Sequence, residues 1–269
     1  MGFFRCAYRN LLKKKIMPEV WILALIFLTG FAVGFVNTLG GGGSSLIYPL
    51  LIFFGFSPHE AIGTARPGFL MQGFFGWLGF KSKKLHLFPF NLYVALAATG
   101  GSVLGAHLSL QVPPGLMKKI IALVIASVTV YILAGERLNV KKNVASNTFK
   151  TGKLRLNLFV FFILGVYSGF IQTGIGFMII LTLMLINRMN VTAANSVKAM
   201  VILLSGIPSL IIFAKAGMVH WKEGIVLASG TASGAWFTSR WSVGADERKV
   251  KAIVGLLAVL MAVKLWISS

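Results

Sequence analysis

Across 269 residues, 57% are hydrophobic, the mean hydropathy is +0.83 and only 12% are charged, about half the share usual in a soluble domain. So few polar side chains cannot clothe a water-soluble surface, which points to a protein solvated by lipid. Twenty-six Lys and Arg against six Asp and Glu give a formal charge of +20. The cations lie mostly between apolar runs, where they meet anionic headgroups, and this placement argues against nucleic acid as a partner.

Residues 1–16 read as a basic interfacial segment, with Phe3, Phe4, Tyr8, Leu11 and Leu12 among Arg5, Arg9, Lys13, Lys14 and Lys15. The apolar run that follows is longer than the core of a signal peptide and has no clear small-residue cleavage site, so it is read as a first span. Ten apolar segments follow in order, at 20–38, 44–56, 61–80, 88–110, 118–134, 157–174, 176–187, 194–214, 222–240 and 249–267. A full crossing needs about 20 residues. The second and seventh segments are too short for that and read as half-helices or re-entrant arms. The fold class expected is all-α: a polytopic transmembrane bundle of about 8–10 segments.

A basic stretch at 135–156 divides the chain into two repeats, 17–134 and 157–269. Gly34-Phe35-Val36-Asn37-Thr38 matches Gly169-Phe170-Ile171-Gln172-Thr173, and glycines follow both. Ala61-Ile62-Gly63-Thr64-Ala65-Arg66 matches Ala193-Ala194-Asn195-Ser196-Val197-Lys198. Leu85-His86 resembles Val219-His220, Gly105-Ala106 matches Gly234-Ala235, and Lys119 matches Lys251. Short glycine-interrupted segments at matching places in two halves are the sequence mark of a transporter binding site.

The first break carries Asn37, Thr38, Gly40, Gly41, Gly42, Gly43, Ser44 and Ser45; the second carries Gln172, Thr173, Gly174 and Gly176. A broken helix exposes free N–H groups that favour an anion, and the hydroxyls add donors. The competing reading is close packing of helices through small residues. Arg66 and Lys198, with their neighbours Thr64, Asn195 and Ser196, hold equivalent positions early in long apolar segments. Few acids are available to neutralise them, which suits a transported anion; snorkelling to the interface is the alternative. Pro67 disfavours helix at Arg66, so a break there, with Thr64 as a cap, is also expected.

No Asp or Glu lies mid-segment, so a carboxylate proton relay or sodium site is hard to build. His107, alone in the fourth segment, is read as structural. Cys6, the single cysteine, excludes an intramolecular disulfide. Neither histidine spacing nor a Gly-Lys-Ser/Thr sequence after the glycine run supports a metal, a cofactor or a nucleotide. No catalytic constellation stands out.

At these motifs the chain resembles the sulfite exporter (TauE/SafE) family of membrane transporters. The resemblance runs from about Phe31 to Trp266. It is clearest at Gly34-Phe35-Val36-Asn37-Thr38-Leu39-Gly40-Gly41-Gly42-Gly43, at Tyr48-Pro49-Leu50-Leu51 and at Phe56-Ser57-Pro58-His59-Glu60-Ala61-Ile62-Gly63-Thr64. It implies a carrier of sulfite, sulfonates or similar sulfur oxyanions. Arg66-Pro67 departs from the family's pattern, so the resemblance assigns Arg66 no role.

The function expected is a secondary transporter with a small anionic substrate, working by alternating access at a midplane site between the repeats. The expected location is the cytoplasmic (inner) membrane of a bacterium or archaeon, with lipid as a partner; association into a homo-oligomer stays open. An anion channel, a membrane scaffold and an intramembrane enzyme are the alternatives. Two topologies compete. Segment length favours five plus five elements with the halves inverted, and this is the one preferred. The distribution of basic loops favours four plus four, with the halves parallel.

Overall fold

The computed structural model describes residues 19–40, 43–83, 87–135 and 154–242, apart from the side chains of Ser45 and of 128–135. Among these residues every regular element is helical. The nine α-helices are α1 (Glu19–Leu39), α2 (Ile47–Phe53), α3 (Pro58–Ser82), α4 (Phe90–Gln111), α5 (Pro114–Gly135), α6 (Leu154–Phe170), α7 (Ile175–Asn187), α8 (Val191–Lys215) and α9 (Trp221–Trp241). A 3₁₀ turn at Gly43–Leu46 precedes α2. The N-terminal segment, most of the linker, Gly41, Gly42, His86 and the last apolar segment lie outside the described residues.

Among the described residues three helices, α1, α4 and α8, are both long and apolar enough to cross a membrane. At about 1.5 Å per residue, α2 and α7 fall well short of a hydrocarbon core about 30 Å thick. The expectation of short segments after each break therefore holds: α2 has 7 residues and α7 has 13.

Local chemistry sets the helix ends. Ser57 and Glu60 form a capping box at the start of α3: the Ser57 hydroxyl accepts from the Glu60 N–H at 3.3 Å, and the Glu60 carboxylate accepts from the Ser57 N–H at 2.8 Å. Asn190 caps α8 by accepting from the Ala193 N–H at 2.7 Å. One expectation fails here. Helix α3 runs through Arg66 and Pro67 without ending, and Thr64 is not a cap. The ring of Pro67 crowds the carbonyl four residues back, at Gly63, but packing against α9 holds the helix together. Gly224 lets α9 approach so closely that an added Cβ would lie 3.3 Å from Pro67 Cγ, and the Thr231 hydroxyl donates to the Gly68 carbonyl at 2.7 Å. A second expectation fails at His107, which is exposed on α4 and takes no part in the core.

Glycines set the helix contacts and reveal helix direction. A Cβ on Gly30 would lie 2.8 Å from the Leu227 carbonyl oxygen, and one on Gly34 would run into that of Thr231. Both numbers rise together, so α1 and α9 run parallel. Glycines at 165 and 169 meet the carbonyls of Ala98 and Ser102 in the same way, so α6 and α4 are also parallel. Helices α3 and α9 run parallel too, since Gly224 lies at Thr64 and Pro67 while Gly79 lies at Ser239. Helices α3 and α8 run in opposite directions: Gly206 faces Leu70, Gly73 faces Leu203 and Gly76 faces Ala199.

Candidate functional site

Helix α1 stops at Leu39 and α6 stops at Phe170, each beside a glycine-containing break. The last carbonyls of a helix lack intrahelical donors and carry about half a negative charge. Burial makes those carbonyls costly to leave unpaired. The two intramembrane cations supply the donors, and each reaches across to the other half of the chain.

Arg66 of α3 donates from Nη1 to the Ser168 carbonyl at 2.8 Å and to Gln172 Oε1 at 2.6 Å, and from Nη2 to the Gly169 carbonyl at 2.5 Å. Its guanidinium also lies over the Phe213 ring, 4.9 Å from the centroid. Lys198 of α8 donates to the Asn37 carbonyl at 2.5 Å, the Thr38 carbonyl at 3.3 Å and Asn195 Oδ1 at 2.5 Å. Arg66 is 1% exposed and Lys198 2%. Neither snorkels: both charges are held inside by helix ends.

The remaining polar groups tie the two breaks into one network. Asn37 Nδ2 donates to Gln72 Oε1 at 3.2 Å, and Asn37 Oδ1 accepts from the Ser44 N–H at 3.1 Å. The Ser44 hydroxyl accepts from the Gly174 N–H at 3.0 Å, which joins the first break directly to the second. Asn195 Nδ2 donates to the Leu39 carbonyl at 2.9 Å. Tyr48 donates to the Ile171 carbonyl, and Tyr167 donates to the Thr173 carbonyl at 2.5 Å. Gln172 adopts the left-handed conformation with φ of 62°, uncommon for a residue with a side chain, and Gly174 does the same at 75°. The Arg66 bond holds the Gln172 side chain in this turn.

The network therefore gathers Asn37, Thr38, Ser44, Arg66, Gln172, Gly174, Asn195 and Lys198 around the ends of α1 and α6. The N–H groups of Ser44 and Gly174 are taken by protein acceptors, so these two are not free donors for an anion. Thr173, Gly176 and Ser196 are buried in the neighbouring turns, and Gly43 is buried at the start of the 3₁₀ turn. Thr64 lies apart from the cluster's bonds; its hydroxyl accepts from the His220 N–H at 3.0 Å. Gln72, Tyr167 and Phe213 belong to the site and no sequence motif marks them; Tyr48 also belongs to it, and the sequence marks it only within Tyr48-Pro49-Leu50-Leu51. A glutamine and two tyrosines inside apolar segments were the available signal.

Charge and donor accounting set what the site can do. Among the described residues no carboxylate comes within 4.0 Å of Arg66 or Lys198; the ion pairs join His220 to Glu60 and Lys222 to Glu19. With both side chains protonated, two unit positive charges exceed the partial negative charge of the two helix ends they hold. Two buried side-chain atoms there, Arg66 Nε and Gln172 Nε2, have no hydrogen-bond partner among the described residues. Both are obligate donors when bonded to an oxyanion. The described residues contain no group of three or more His, Cys, Asp or Glu placed to hold a metal ion.

A family profile described as sulfite exporter TauE/SafE matches residues 26–265. A Sinorhizobium protein named "Probable membrane transporter protein ORF9" is 24% identical over 91% of this chain and 92% of its own length. A "Probable membrane transporter protein" of Haemophilus influenzae is 24% identical, covering 91% and 94%. The Escherichia coli "Probable membrane transporter protein YfcA" is 23% identical, covering 93% and 91%. No solved structure matches the chain significantly.

Proposed function

The chain belongs to the sulfite exporter TauE/SafE family and is an integral membrane protein of transporter type; on that premise we propose that it carries a small sulfur oxyanion or organosulfonate by alternating access between two inverted repeats. The observation that carries the anion is the burial of two basic side chains, Arg66 and Lys198, at the α6 and α1 ends. Arg66 and Lys198 are buried with no carboxylate within 4.0 Å among the described residues, and Arg66 Nε and Gln172 Nε2 have no hydrogen-bond partner among them. Tetrahedral and pyramidal sulfur oxyanions offer several acceptor oxygens to such a set.

The repeat reading draws support from equivalent packing. Gly30 and Gly34 meet Leu227 and Thr231, as Gly165 and Gly169 meet Ala98 and Ser102. The glycines are offset by 135 residues and their partners by 129, the offsets of the sequence matches. Inversion draws support from α3 and α8, which hold equivalent places in the halves and run oppositely. The bacterial relatives favour a bacterial cytoplasmic membrane.

The test is thermal unfolding of the purified protein with sulfite, sulfate, thiosulfate or methanesulfonate, against chloride at matched ionic strength. A ligand at about 100 times its dissociation constant stabilises the native state by about 2.7 kcal/mol. A shift selective for sulfur oxyanions, and lost in Gln172→Ala and Arg66→Lys, is the expected result. Equal shifts for all anions would remove the site assignment.

A further inference from the structure

We propose that Lys198 carries a coupling proton, and that the departure of this proton releases the broken end of α1. The proposal rests on the anion-carrier reading above and adds the coupling ion to it.

Lys198 Nζ lies among acceptors. Its three partners are the Asn37 carbonyl, the Thr38 carbonyl and Asn195 Oδ1, and all three accept. The Asn195 amide is oriented by its own Nδ2, which donates to the Leu39 carbonyl. An ammonium has three N–H bonds, so three acceptors use every one. A neutral amine has two N–H bonds and a lone pair. In this cage the lone pair would face an oxygen, turning one attraction into a repulsion. The site is therefore built for the charged form alone. In the proposed step the ammonium becomes an amine, the N–H electron pair stays on nitrogen, and the proton passes to water on the open side. Two N–H bonds then serve three acceptors, the hold on the Asn37 and Thr38 carbonyls weakens, and the end of α1 is freed. Reprotonation restores the cage.

Arg66 holds the end of α6 in the same manner, but a guanidinium does not release its proton in proteins. One helix end thus has a switchable cap and the other a permanent one. The elements packed against α8 bring few competitors for the proton. From α3 come Arg66 in the core, His59 bound at the Ser109 carbonyl, and Glu60 and Lys81 towards the helix ends. Helix α6 brings Tyr167, bonded to the Thr173 carbonyl, and exposed Arg155; α4 brings exposed His107 and Tyr93. Glu19 of α1 is paired with Lys222, Arg188 beyond α7 is exposed, and Lys215 of α8 itself is exposed at its C-terminal end. Tyr48 of the first break is bonded to the Ile171 carbonyl.

The full chain in proteoliposomes tests this with sulfite, thiosulfate and methanesulfonate as probes, scored for exchange and for uphill accumulation under an imposed pH gradient. Wild type is expected to accumulate a probe. Lys198→Arg stays charged and is expected to lose the gradient response of whatever exchange it keeps. Gradient-driven accumulation by Lys198→Arg at the wild-type ratio would overturn the proposal. A second measurement needs no substrate: maleimide labelling of Leu39→Cys in a Cys6→Ser background, with Lys198 or with Lys198→Arg. The ratio of the two rates is expected to rise with pH, by up to about tenfold per pH unit before the amine is fully neutral. A flat ratio overturns the switch. A rising ratio with no exchange of any probe supports the switch and sinks the sulfur-anion reading.

Discussion

Arg66 satisfies two carbonyls and an amide with Nη1 and Nη2 while its plane lies on Phe213. A lysine offers a single nitrogen in place of this planar fork. Arg66→Lys is therefore expected to cost about 1–3 kcal/mol through the carbonyl or carbonyls left unpaired, read as a lower unfolding midpoint in detergent. Truncating either cation is expected to destabilise the fold as well as weaken anion binding, because both cations also hold helix ends. Gln172 makes a separable case. Its side chain accepts from Arg66, but its backbone lies in a conformation that glycine adopts freely. Gln172→Gly relieves the backbone and Gln172→Ala does not. Both are expected to lose oxyanion-selective stabilisation, and Gln172→Gly is expected to unfold at the higher temperature. Equal binding by both variants and wild type would show that the amide does not touch the anion.

Among the helices, glycine does two different jobs. At Gly105 a Cβ would run into the Val166 carbonyl oxygen, so Gly105→Ala must push α4 and α6 apart, at about 1–3 kcal/mol. At Gly115 a Cβ would meet nothing within 4 Å, so Gly115→Ala is expected to be neutral or to stabilise by up to about 1 kcal/mol. Thermal unfolding of the two variants side by side checks the contrast. Capping contributes at the start of α3, where Ser57→Ala should cost about 1 kcal/mol. The glycines and caps were legible in the sequence as residue types. Their partners were not, because a carbonyl from a helix about 60 to 200 residues away leaves no local pattern. Pro67 shows the same limit from the other side. Its local preference is to end a helix, and contacts from α9 override it.

For the molecule in its membrane, the opposite run of α3 and α8 has a consequence that separates the two topologies. Lys81 and Lys215 stand exposed at the C-terminal ends of these two helices. Single cysteines at the two sites, in a Cys6→Ser background, are expected to react with an impermeant maleimide from opposite faces of sealed vesicles. Labelling from one face would return the parallel four-plus-four arrangement. Labelling from opposite faces would favour the proposed inversion over the four-plus-four arrangement that the distribution of basic loops favours.

Composition and periodicity alone determined that this chain lives in lipid, is helical, and breaks its helices at two matching glycine-containing places, because the cost of exposing backbone or charge to hydrocarbon acts on every residue locally. They also singled out Arg66 and Lys198, since a buried cation is expensive wherever it sits. Only the tertiary structure decided what those cations hold. Each reaches across to the broken helix of the other half, and hydrogen bonds between groups more than 100 residues apart depend on how the helices are stacked. The same stacking makes α3 continuous through Pro67 and joins the two breaks through Ser44, because packing energy gathered over whole helices exceeds the preference of any one residue.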